Sequence, residues 1–148
     1  MALGTNLPFW PALVFTYLEP ISLIVGLQAA FSNPKDFVAR QMPSATGPIP
    51  DGAIILTYTI GNVFLLLAFL GILCTAVTRD TRVTQLYLFF VAVGDLGHIY
   101  ASYKVMGQEM FLDLNNYNDM MWGNIGVSAF LHVNRLATLL GVFGKVGR

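Results

Sequence analysis

Apolar residues gather into four windows long enough to cross a bilayer, roughly 9–31, 53–77, 83–106 and 122–144. A transmembrane helix needs about 20 mostly apolar residues, and each window meets that requirement. The polar stretches between them differ in kind. Residues 32–52 hold four prolines together with Lys35, Asp36, Arg40 and Asp51. Such a segment cannot pair its own backbone groups, which bars it from lipid and predicts a surface loop or short interfacial element. Thr78 to Arg82 is so short that the second and third windows must be antiparallel neighbours. Gly107 to Met121 carries Glu109, Asp113, Asn115, Asn116, Asn118 and Asp119, and reads as a wet cap over one mouth. The pattern predicts an all-α membrane protein, a four-transmembrane-helix bundle forming one integral membrane domain over residues 1–148.

Composition agrees with lipid as the solvent. The chain has 148 residues, 55% hydrophobic and 11% charged, against about 45–50% and about 25% in soluble domains. Eight basic and eight acidic residues cancel, which removes the basic field that nucleic acid binding needs. One cysteine, Cys74, excludes an intrachain disulfide and a cysteine cluster for zinc. No basic residue precedes the first apolar run and that run is too long for a signal core, so the first helix is expected to stay. Arg79, Arg82, Lys145 and Arg148 fall on one side, Lys35, Arg40 and Lys104 on the other. The bias places both termini in the cytosol, with the endoplasmic reticulum as the default membrane. Small residues four apart, Gly97 with Ala101 and Ala137 with Gly141, suggest close helix crossings.

Three ionisable residues interrupt the apolar windows near mid-depth: Glu19 in the first, Asp95 in the third and Arg135 in the fourth. A charge there costs about 2.5–3.5 kcal/mol on insertion scales, so each calls for a partner or a function. Antiparallel packing brings all three to similar depth. His98 lies one turn after Asp95, and His132 three residues before Arg135, so each pair shares a helix face. The stripe continues through Ser102 on the third window and through Asn124, Ser128 and His132 on the fourth. Asn62 and Thr59 offer a polar face from the second window. Pro20 follows Glu19 and removes the amide that would pair with the Thr16 carbonyl, so a kink and a spare acceptor are expected beside the carboxyl, in a hydrated pocket. One neutral and one charged carboxyl beside a cation can do acid–base work; the same three groups can also form a structural ion network. Metal binding is not indicated, because the spacing of His98, His132 and the carboxylates fits no known ligand pattern.

Leu18-Glu19-Pro20, Gly94-Asp95-Leu96-Gly97-His98, and Trp122-Gly123-Asn124 with Asn134-Arg135 together resemble a family of small four-span membrane proteins of filamentous fungi, some of which are assigned as epoxide hydrolases of polyketide biosynthetic clusters. A looser resemblance is to the emopamil-binding-protein superfamily of sterol isomerases, from which no site residue carries over. The first resemblance implies a membrane hydrolase or cyclase that opens the epoxide of a lipophilic polyketide or terpenoid without a cofactor. Asp95 would activate water or an internal hydroxyl with His98 assisting, Glu19 would donate to the epoxide oxygen, and Arg135 would orient them, the two carboxyl roles being exchangeable. Asn62, Trp122, Asn124, Ser128 and His132 are expected to line the substrate's path. A sterol or terpenoid isomerase and a non-catalytic lipid-binding or accessory subunit are the alternatives. The expected partners are the lipophilic substrate and membrane lipid, without nucleic acid; a homodimer is left open.

Overall fold

A computed structural model describes residues 2–42 and 44–147; Arg148, counted above in the charge balance, lies outside them. The described residues are helical and loop, with no strand. Three helices are long and apolar enough to cross a membrane: α1 (Phe9–Ser32), α3 (Asp51–Val77) and α4 (Thr81–Leu112). Between the first two lies the short helix α2 (Pro34–Gln41), started by Asn33, whose Oδ1 accepts from the Asp36 amide, and by Pro34 in the first turn. The proline-rich segment thus contains a short ordered helix.

The fourth apolar window departs most from expectation. Its helix, α5, spans residues 119–139, beginning under the Asn118 side chain, which accepts from the Met121 amide. It stops short of residue 144 because the chain turns at Gly141 and Gly144, both at positive φ. Asn124, His132, Asn134 and Arg135 also lower its hydropathy, and α5 is not among the three helices that meet the spanning criteria. The expected cap at residues 107–121 is partly helical. Helix α4 breaks at Gly107 (φ 75°), resumes to Leu112, and is followed by a single tight turn at Leu114–Asn116.

The helices pair as two antiparallel hairpins, α1 with α3 and α4 with α5. In the first, Thr16 Oγ1 donates to Thr75 Oγ1 at 2.8 Å, and Thr75 to the Gly71 carbonyl at 2.7 Å. Threonine hydroxyls satisfy each other and the backbone there, as lipid requires. Gly71 lets Pro20, the Phe15 carbonyl and Tyr87 crowd one spot, since a Cβ would stand 3.0 Å from Tyr87 Oη. Gly71→Val should therefore lower stability by about 1–3 kcal/mol through overpacking, read as a reduced thermal midpoint in detergent. The expected crossing at Gly97 and Ala101 does not form. Both residues are exposed and nothing lies within 4 Å of a Gly97 Cβ, because α4 buries a different stripe, Thr84, Leu88, Ala92 and Asp95. Gly141 lies beyond the end of α5, so Ala137 and Gly141 make no helix crossing either.

The hairpins join mainly at two ends. At one, Thr84 Oγ1 donates to the Cys74 carbonyl at 2.8 Å. The N-terminal residues Thr5, Asn6 and Leu7 plug the same end, with Asn6 donating to the Thr78 carbonyl at 3.0 Å and Leu7 packed on Phe15 and Leu88. At the other, α2 clasps the start of α5: Arg40 pairs with Asp119, Asn118 Nδ2 donates to the Arg40 carbonyl at 3.0 Å, and Asn124 donates to Gln41. Between the ends each helix packs chiefly on its own hairpin partner.

The clasp is solvent-exposed and should respond to acid. The Arg40 guanidinium holds the Asp119 carboxyl below its usual range, whereas in the unfolded chain Asp titrates near ~3.9. The folded value is the lower one, so the clasp is fully held above ~3.9 and released as pH falls through the lower folded value. Amide exchange in residues 34–41 should rise over that window and also with added salt; exchange indifferent to both would show that the pair does not hold α2.

Candidate functional site

Arg135 is the largest fully buried side chain, 0% exposed, and it forks between the hairpins. Its Nη2 donates to Glu19 Oε1 on α1 and its Nη1 to Asp95 Oδ2 on α4. The carboxyl residues are 8% and 9% exposed. The Phe15 ring lies 5.1 Å below the guanidinium carbon, a cation–π contact in a water-poor setting. Three helices therefore contribute one charged group each, and the three residues singled out in the apolar windows do meet.

The local backbone explains how Glu19 gets there. In place of a free kink at Pro20, α1 opens into a wide π turn over Leu13–Leu18, where the Glu19 amide reaches back five residues to Val14 O. That register change lets a residue without an N–H follow inside a continuous helix. Similar wide turns occupy Leu73–Val77 and Trp122–Val127. Beside Arg135, Asn134 is fixed on both sides: its Oδ1 accepts from Trp10 Nε1 at 2.8 Å and its Nδ2 donates to the Phe130 carbonyl at 2.8 Å. His132 Nδ1 is 2.9 Å from the Ala92 carbonyl; a carbonyl only accepts, so Nδ1 carries the proton. His132 thus ties α5 to α4 three residues from Arg135.

The other residues predicted for the site lie elsewhere. His98 is exposed, and its ring makes no hydrogen bond among the described residues. It is eleven residues after Tyr87, about three helical turns, and so lies on the flank of α4 that turns toward α3. Asn62 is exposed and far along α3: neighbouring Gly61 packs on Ala30 and Phe31, whereas Pro20 sits against Gly71. Nine residues of helix, about 13 Å, separate those levels. Trp122 is exposed and meets Tyr117 edge-on at 5.3 Å, and Asn124 belongs to the clasp with Gln41. Ser128 is half-buried, about 10 Å along α5 from Arg135. The structure does not bring Asn62, Trp122, Asn124 or Ser128 to the trio.

The expected hydrated pocket differs too. Open clefts lie at the loop end, one over Met106–Glu109 and one between Ser44, Met110 and Asp113, and neither touches the trio. The trio is instead tightly enclosed. Two of its polar atoms, Glu19 Oε2 and Arg135 Nε, are buried without a protein partner among the described residues. No three His, Cys, Asp or Glu side chains among those residues converge as a metal site. Sequence reading missed the Phe15 ring and the Trp10–Asn134 bond. Asn134 sits beside Arg135 in sequence, but nothing in the first window marked Trp10 as its partner.

Residues 4–145, nearly the entire chain including all three members of the trio, match the family model described as "Domain of unknown function (DUF7704)". The chain belongs to the DUF7704 family. No curated protein and no solved structure matches it. The matched stretch contains both hairpins, the N-terminal plug from Gly4 onward and the clasp, so these structural features all lie inside the DUF7704 domain.

Proposed function

We propose that all four long helices cross the bilayer and that the Glu19–Arg135–Asp95 cluster is the site of a cofactor-independent acid–base enzyme. It opens epoxides of a lipophilic polyketide or terpenoid, by hydrolysis or by cyclisation onto an internal hydroxyl, in fungal secondary metabolism. Helix α5 supports the fourth crossing. It runs antiparallel to α4, which is long and apolar enough to cross, and Asn134 and Arg135 are turned inward. The observation carrying the chemistry is the single guanidinium shared by two carboxyls. Fully ionised, the trio has one unbalanced negative charge; with one carboxyl protonated it is neutral, which gives a proton donor and a proton acceptor on one cation. An epoxide needs both: a proton for the oxygen that leaves carbon, and a base for the attacking water or hydroxyl. A lipophilic substrate would arrive from lipid, and the fungal substrate class follows from the resemblance of the three motifs.

A second reading is supported by the complete burial of Arg135 and by open clefts at the loop end that do not touch the trio. The trio would then be an ion lock joining two hairpins of a lipid-binding or accessory subunit. The test is incubation of purified protein in nanodiscs with a panel of lipophilic polyene epoxides in oxygen-18 water, compared with Asp95→Asn. Labelled diol formed only by the intact protein identifies a hydrolase, and an unlabelled cyclic ether identifies a cyclase. Absence of turnover across the panel would favour the ion lock.

A further inference from the structure

Glu19 uses only one carboxyl oxygen toward Arg135, and Arg135 leaves Nε unused. The used nitrogen on the Glu19 side is Nη2, which shares an edge of the guanidinium with Nε, so the free oxygen and the free N–H belong to the same edge of one ion pair. With Glu19 ionised their needs are opposite: Oε2 accepts and Nε–H donates. Both are sealed, and a sealed polar atom without a partner is unfavourable. Asp95 differs. Its Oδ2 takes Nη1, its other oxygen is not among the sealed atoms, and it is flanked by exposed Gly94, Gly97 and His98.

We propose that the Oε2–Nε edge of the Glu19–Arg135 pair binds the attacking water, making Glu19 the base and Asp95, whose second oxygen is not sealed, the acid. This rests on the epoxide-opening reading and exchanges the roles first suggested for the carboxyls. One water satisfies both sealed atoms, accepting from Nε–H and donating to Oε2. In the reaction the water oxygen bonds to an epoxide carbon while that carbon's bond to the ring oxygen breaks. The released electron pair takes the proton of Asp95 Oδ1, and Glu19 Oε2 takes the proton lost by the water. The sum is epoxide plus water giving diol. Glu19 is then protonated and Asp95 ionised, and the pair resets when the proton crosses back through the next bound water.

The assignment can be read without substrate, so failure of epoxide turnover and failure of this proposal are distinct results. Infrared spectra would be taken at neutral pH on protein carrying carbon-13 in the side-chain carboxyls of either aspartate or glutamate. The protonated-carboxyl band should shift with labelled aspartate, stay with labelled glutamate, and vanish in Asp95→Asn. A hydrogen-bonded water stretch should move on transfer to oxygen-18 water and persist in Asp95→Asn. A carboxyl band that follows the glutamate label, or no oxygen-18-sensitive stretch, would overturn the proposal. The latter result would mean that Oε2 and Nε close directly on each other.

Discussion

Arg135→Gln should be the most destabilising single substitution in the chain, lowering unfolding stability by ~3–5 kcal/mol. Arg135 is 0% exposed and, among the described residues, is the only charge-assisted donor that the two carboxyls share. Without it, Glu19 and Asp95 remain buried at similar depth with no cation between them, and the Phe15 face loses the charge lying over it. Glutamine is neutral and has a single amide nitrogen, so it cannot reproduce the two charge-assisted bonds that separate guanidinium nitrogens made. Thermal unfolding in detergent would register the loss, and Arg135→Lys should recover only part of it, because a single ammonium cannot reproduce the planar fork. An unchanged midpoint in Arg135→Gln would mean that the network contributes nothing to the fold.

Asp95→Asn should do the opposite, leaving the fold and removing the chemistry. Asparagine has nearly the shape of aspartate, and its carbonyl oxygen can still accept from Nη1. Removing one of two carboxyls also leaves a one-to-one pair of Glu19 and Arg135, so the melting midpoint should stay close to that of the intact protein. Turnover of an epoxide should fall by about 10²–10⁴-fold, the usual contribution of a positioned proton donor or acceptor. Loss of folding along with turnover would assign Asp95 to the ion lock, and full activity would remove it from the reaction.

The helices were legible because their signal is dense. Long apolar runs bounded by Asp51, by Thr78 to Arg82 and by Ser32 could be read to within a few residues. The trio was legible for a related reason: an ionisable side chain among apolar ones stands out, and its cost demands a partner. Legibility fell where the signal was shared. Asn62, Asn124, Ser128 and Trp122 are polar or amphipathic residues in the same windows, yet whether they face a site, a clasp or the outer surface depends on axial level and rotation. Gly61 on Ala30 and Gly71 on Pro20 set that level for α3, and neither contact can be read from spacing along one helix. The end of α5 was overrun because Leu140, Val142 and Phe143 continue the apolar pattern past Leu139, while Gly141 turns the backbone. The proline kink was replaced by a wide turn upstream, a backbone register change with no residue signature of its own.

The claim on which the account rests is that Arg135 on one hairpin and Glu19 on the other are energetically joined. A double-mutant cycle of Glu19→Gln and Arg135→Gln, read by reversible unfolding in detergent, measures that joining directly. The account predicts that the double variant is more stable than Arg135→Gln alone, with a coupling of about 0.5–3 kcal/mol. Additive losses, with no coupling between Glu19 and Arg135, would contradict it.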